Sequence, residues 1–185
     1  MLIIWVTWTI WAGKWTVVEY LKEKYHFLHF SVRAYLIKKI EHKWMEVNRD
    51  SMVIVANELM EKYGAGFIAQ ELYTEAEKTG NNAIIESIRT AGEVNELQHK
   101  GNFFLFAVDA DPSVRYERIK SRDSETDHVS YPVFISNEER EMNSDDPNKQ
   151  NIRACINLAD YVFSNNGTLE ELEKQIDEVM NSIVE

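Results

Sequence analysis

The chain has 185 residues, 44% of them hydrophobic and 28% charged, with a formal net charge of −11. That length accommodates one domain with a sizeable core and a small inserted lid, while the acidic balance excludes a nucleic-acid duplex or an anionic membrane as partner, since both repel it. The single Cys155 excludes an internal disulfide and fits a reducing cytoplasm.

The first apolar run, from Met1 to Gly13, has neither the basic start nor the cleavage site of a signal peptide. It also falls short of the roughly 20 residues a membrane span takes. Within it, Leu2 to Thr7 reads as a buried strand that enters a loop. Lys14 to Lys24 follows with helical spacing, placing Val17, Val18 and Leu21 on one side. Phe27 to Ser31 is a second strand, and Asn48 to Tyr63 a further helix carrying Val53, Val55, Ala56 and Leu59. Ala83 to Glu86 and Phe103 to Val108 are continuous apolar runs, as expected of parallel strands covered on both faces. Asp111-Pro112 starts a helix, with an acid at the N-cap and proline in the first turn. The polar stretch from Ser121 to Ser130 reads as a mobile loop or lid edge, and 121–147 as the lid region. Tyr161 to Ser164 is the last strand, Gly167 closes a turn, and Thr168-Leu169-Glu170-Glu171 is a capping box opening the final helix. The alternation predicts an α/β doubly wound domain spanning 1–185, a five-stranded parallel sheet flanked by helices. His26, His29, His42, His99 and His128 are scattered without zinc-site spacing and read as surface or packing residues.

In a doubly wound fold, ligands bind at the carboxyl ends of the strands, so residues 8 to 16 carry the most information. A phosphate loop follows G-x-x-x-x-G-K-[ST]. Against it stands Trp8-Thr9-Ile10-Trp11-Ala12-Gly13-Lys14-Trp15-Thr16, in which Gly13, Lys14 and Thr16 match. With "FSVRAYL" at 30–36, "AIIESIRTAGEV" at 83–94, "DPSVRYERIKSR" at 111–122, "NEERE" at 137–141 and "LADYVFSNNGTLEELEKQI" at 158–176, nearly the whole chain resembles the P-loop nucleotide kinases, the family of adenylate kinase, dephospho-CoA kinase and their archaeal relatives.

The resemblance implies ATP-dependent phosphoryl transfer to a small nucleotide, with Mg²⁺ and ATP as cofactors. It implies Gly13, Lys14 and Thr16 at the ATP phosphates, Thr16 and Glu86 at the magnesium, and Arg33 and Arg89 on the acceptor. Arg118, Arg122 and Arg140 fall where the family has catalytic phosphate-binding arginines. Phosphoryl transfer relies on positioning and charge neutralisation, which such cations supply. Arg115, Arg118 and Arg122 recur at i, i+3 and i+7 on one helix face, equally consistent with a solvated basic surface. Glu86 is equally consistent with an ordinary acid at a strand end.

The departures concern glycine. The family has glycine at 8, 13 and 15, commonly at 11 and often at 5; here Trp5, Trp8, Trp11 and Trp15 leave only Gly13. Glycine serves there because the loop visits φ > 0 and its bare N–H groups approach the phosphate. A Cβ at each strained position costs about 1–3 kcal/mol, so strain is expected at 8, 11 and 15. The indoles are expected to fill the phosphate space and block the loop, except Trp5, which also suits a strand core. His26 and Trp44 stand where helices usually end on glycine, and only 7 glycines remain. Pro132-Val133 is expected to interrupt a helix start after Tyr131. The chain thus reads as an engineered or degenerate kinase-like domain that is catalytically silent. The alternatives are a working nucleotide kinase with a reshaped loop, or a non-enzymatic module self-associating through four exposed tryptophans.

Overall fold

The computed structural model describes residues 1–122, 130–144 and 149–184. The expected strands are present: β1 (Ile3–Trp8), β2 (Leu28–Ser31), β3 (Ala83–Glu86), β4 (Phe103–Asp109) and β5 (Tyr161–Ser164). They form one parallel sheet in the order β2-β3-β1-β4-β5. In the central strand, Ile3 pairs with Ala83 on one side and Phe103 on the other. Parallel strands need crossovers, and the helices that provide them cover both faces.

Side chains alternate between those faces. Ile4 and Val6 point into a core with Val17, Val18 and Leu21 of α1 (Lys14–Tyr25) and Leu172, Ile176 and Met180 of α9 (Leu169–Val184). Ile3 and Trp5 point into a second core. It is built with Leu36 and Ile40 of α2 (Val32–His42), Val55 of α3 (Arg49–Tyr63) and Leu72 of α4 (Phe67–Thr79). Its remaining contributors include Val94 of α5 (Ala91–Leu97) and Cys155 of α8 (Ile152–Asn157). Trp5 is fully buried there, the strand-core position that its apolar run allowed.

Helix starts follow the sequence signals. Asn48 and Ser51 form a reciprocal capping box at α3. At α9, the Glu171 N–H donates to Thr168 Oγ1 and the Thr168 N–H to the Glu171 carboxylate. Pro112 opens α6 (Pro112–Arg122). Pro132, expected as an interruption, lies in the first turn of α7 (Tyr131–Met142). The first turn has no intrahelical N–H bond for proline to forfeit. Residues 123–129 of the stretch expected to be a mobile loop, His128 among them, and 145–147 of the expected lid region lie outside the described residues, while α7 occupies most of the rest of that region. Among the described residues no helix is long and apolar enough to cross a membrane.

Candidate functional site: the turn between β1 and α1

The sheet order puts β1 in the middle, so its carboxyl end opens where the crossovers diverge, and the chain there turns through residues 9–13 into α1. Two residues of this turn are left-handed, Trp11 at φ 67° and Gly13 at φ 94°. The turn is anchored to distant strands. The Thr9 hydroxyl donates to Asp109 Oδ1 at 2.6 Å, and the Asn165 side-chain amide donates to Ala12 O at 2.7 Å. A Cβ at Gly13 would collide with that Asn165 amide. From α6, Arg115 donates to Ile10 O at 3.2 Å and Ala110 O at 2.6 Å, and it is ion-paired with Glu138 of α7. Arg115, read from sequence as part of a solvated or phosphate-facing stripe, is thus buried and structural.

Lys14 begins α1 and is ion-paired with Glu86 at the end of β3. Its Nζ lies 4.1 Å from the ring centre of Trp8 and 4.4 Å from that of Trp15, so two indoles flank the ammonium. The Arg89 guanidinium is also over Trp8, at 5.1 Å, and contacts Glu141 at 3.2 Å. His29 Nε2 is 3.6 Å from Glu86, and its ring meets Trp15 edge-on at 5.7 Å.

Burial draws the Lys14 ammonium below its usual range, and the Glu86 carboxylate works against that shift. For Glu86, burial pushes upward, but the neighbouring His29, Lys14 and Ser31 side chains, with the Lys14 charge, overcome it and hold the carboxyl at about 2. The Glu86 carboxylate is therefore ionised across the neutral range.

Beside this cluster is a cleft of about 510 Å³ walled by Trp8, Ile10, Trp11 and Trp15. Gly13, Lys14, Arg89, Arg118 and Glu141 complete its lining. Arg118 donates to Asn165 O at 2.8 Å. The fold therefore brings together Gly13, Lys14, Arg89 and Arg118, with Glu86 against Lys14. Thr16 is the third residue of α1, its N–H donating to Gly13 O, and does not line the cleft. Arg33 is exposed on α2 and Arg140 is exposed on α7, where it bonds Ser136 O and Asn137; neither reaches the cleft. The Arg122 side chain lies outside the described residues.

Sequence reasoning missed Asn165, Glu141 and His29 at the site. Asn165 and Glu141 stood inside the motifs that carried the resemblance, but nothing in those motifs marked them as contacts of the turn. Strain is also narrower than expected. Trp8 ends a strand and Trp15 lies in the first helical turn, neither with positive φ, so only Trp11 pays for a left-handed backbone. Trp8 and Trp11 are half-buried, and Trp15 is 53% exposed.

No family model matches the chain. It is 27% identical over 176 residues to a UPF0200 protein of Methanococcus maripaludis, covering 94% of this chain and 92% of that one. To a UPF0200 protein of Methanocaldococcus jannaschii it is 28% identical over 187 residues, covering 100% and 91%. Among solved structures it superposes on the Thermus thermophilus protein TT1252 with a TM-score of 0.63 and 17% identity, covering 98% of this chain and 97% of the other. For shikimate kinase from Bacteroides thetaiotaomicron the TM-score is 0.56 at 13% identity, covering 97% and 98%. For dephospho-CoA kinase from Campylobacter jejuni it is 0.53 at 14% identity, covering 98% and 96%. The five-stranded parallel sheet flanked by helices is the fold of the P-loop kinases.

Proposed function

We propose that this chain is a nucleotide-kinase-like domain whose phosphate site is closed to a nucleoside triphosphate by Trp8, Trp11 and Trp15, with nucleotide binding and phosphoryl transfer lost. The observation that carries this reading is the engagement of Lys14, paired with Glu86 and flanked by two indoles. A lysine serving a phosphate must leave both contacts. Each cation–π contact is worth about 0.5–2 kcal/mol, and the Glu86 charge left behind is buried. Glu86, implied as a magnesium ligand, is committed to the same ammonium, and Thr16 does not line the cleft. The residues present do not fit a magnesium–triphosphate.

Calorimetric titration with Mg-ATP up to millimolar concentration tests this. The expected result is no binding by the unaltered chain. Restoring glycine at 8, 11 and 15 together should bring back ATP binding and phosphorylation of a nucleotide from a panel. Tight Mg-ATP binding by the unaltered chain refutes the reading.

The retention of Arg89 and Arg118 around the cleft favours a second reading, an active kinase acting on a nucleoside monophosphate or dephospho-CoA through a reshaped loop. Phosphoryl transfer abolished by Lys14→Ala establishes it. In either case the acidic charge supports a cytoplasmic protein without nucleic-acid or membrane partners. A third reading, a non-enzymatic module self-associating through its exposed tryptophans, among them Trp15 and Trp44, would be refuted by monomeric, concentration-independent sedimentation.

A further inference from the structure

The charges around the cleft do not cancel completely. Lys14 is neutralised by Glu86, and Arg89 is matched by Glu141 at 3.2 Å. Arg118 meets only neutral acceptors among the described residues: the carbonyl of Asn165 at 2.8 Å and its side-chain oxygen at 3.4 Å. Its Nη1 is out of contact with solvent and has no hydrogen-bond partner among the described residues. A guanidinium in that condition lacks a counter-charge, and its Nη1 lacks the acceptor it ordinarily has when removed from water. One net positive charge therefore borders a space otherwise walled by Trp8, Ile10, Trp11 and Trp15.

We infer that the cleft is a binding site for a planar aromatic monoanion, of the aryl carboxylate class. Indole walls accept a flat ring by offset or edge-on stacking. A volume of about 510 Å³ is within the ordinary range of small-molecule sites and holds a bicyclic ligand. The carboxylate lies beside Arg118 and supplies the counter-charge that its guanidinium lacks, arginine being the cation best suited to a carboxylate. A polyphosphate mismatches this site because it brings several negative charges to one uncompensated cation. This inference rests on the reading of the phosphate site as closed, and replaces the lost anion site with a different ligand class.

Calorimetric titration of the full chain with naphthoate, with its neutral analogue naphthylmethanol and with Mg-ATP tests it. The expected result is saturable naphthoate binding, at least roughly tenfold tighter than naphthylmethanol, the difference a charge-assisted hydrogen bond supplies. Arg118→Gln should weaken naphthoate by a similar factor while leaving naphthylmethanol unchanged, and Trp15→Ala should weaken both. Absent naphthoate binding, equal affinity for the neutral analogue, or indifference to Arg118→Gln in a folded variant overturns the inference. Should Arg118→Gln fail to fold, the comparison with naphthylmethanol decides alone. Mg-ATP that displaces naphthoate and binds more tightly overturns both this inference and the closed phosphate site. Failure of naphthoate together with failure of Mg-ATP overturns this inference only.

Discussion

Lys14 and Glu86 form an ion pair that joins the first residue of α1 to the last residue of β3. Both side chains are largely buried, and the indoles of Trp8 and Trp15 exclude water from the ammonium. Glu86→Gln removes one partner and leaves the Lys14 charge in place. Breaking a buried pair in this way costs about 3–5 kcal/mol, and a loss near the lower end is expected because Lys14 keeps its cation–π contacts. Urea denaturation of the variant beside the unaltered protein measures it, and a change below about 1 kcal/mol would show the pair to be energetically idle.

The same carboxylate gives the fold an acid dependence. Glu86 titrates at about 2 in the folded protein against an ordinary 4.5, so the unfolded chain takes up its proton first as the pH falls. Its contribution is fully present above about pH 4.5 and disappears as the pH drops toward 2. At about 1.4 kcal/mol per unit, the loss over that window is roughly 3 kcal/mol. In Glu86→Gln, stability measured between pH 6 and pH 3 should fall less steeply by about 2 kcal/mol, the share of that loss reached by pH 3. Parallel curves for the two proteins would refute the assignment.

Two residues outside the site occupy glycine's conformation. His26 ends α1 at φ 57°, and Trp44 follows α2 at φ 56° and is 95% exposed. Neither side chain is buried, so truncation forfeits little packing while the backbone strain is relieved. His26→Gly and Trp44→Gly are each expected to stabilise the protein by about 0.5–1 kcal/mol. Alanine at either site, which keeps the Cβ, should give no comparable gain. Thermal melts of the four variants distinguish these outcomes.

Gly13 is the opposite case. Its φ of 94° is strained for any other residue, and a Cβ there meets the Asn165 amide that holds Ala12. Gly13→Ala should therefore destabilise the protein by about 2–3 kcal/mol, from backbone strain plus the disturbed hydrogen bond. Asn165→Ala should cost less, about 1–2 kcal/mol, and the double variant less than the sum, because the two changes act on one contact. Strict additivity in that cycle would show that Gly13 and Asn165 are uncoupled.

The fold was legible because its signals are local and redundant. Apolar runs fixed β3 and β5 to the residue and the other strands to within one residue at either end, and capping patterns located the starts of α6 and α9. The helices α4, α5, α7 and α8 were not placed and α2 was given no bounds, although α4 buries Ile68, Ala69, Leu72, Tyr73 and Ala76 at helical spacing. His26 and Trp44 were legible as left-handed positions because a helix end demands one there. Ser87, at φ 88° just after β3, was not, since nothing around it marks a cap or turn. At the site, Gly13, Lys14, Arg89 and Arg118 came from motif spacing, and their convergence follows from the sheet order. What spacing could not show is which charge neutralises which. The pairings of Lys14 with Glu86, Arg89 with Glu141 and Arg115 with Glu138 are long-range and follow from side-chain directions. The strain expected at three tryptophans fell on one, because glycine at the other two positions of the motif provides clearance rather than a left-handed backbone.

The tether between Asn165 and Ala12 joins residues 153 positions apart. On the ribosome, the turn after β1 emerges long before β5 and the amide that secures it. Domains assemble from the amino end during synthesis, yet this corner waits for nearly the whole polypeptide. A nascent chain arrested before β5 emerges should leave the turn open to proteolysis even with the preceding strands in place, and release of the following residues should close it.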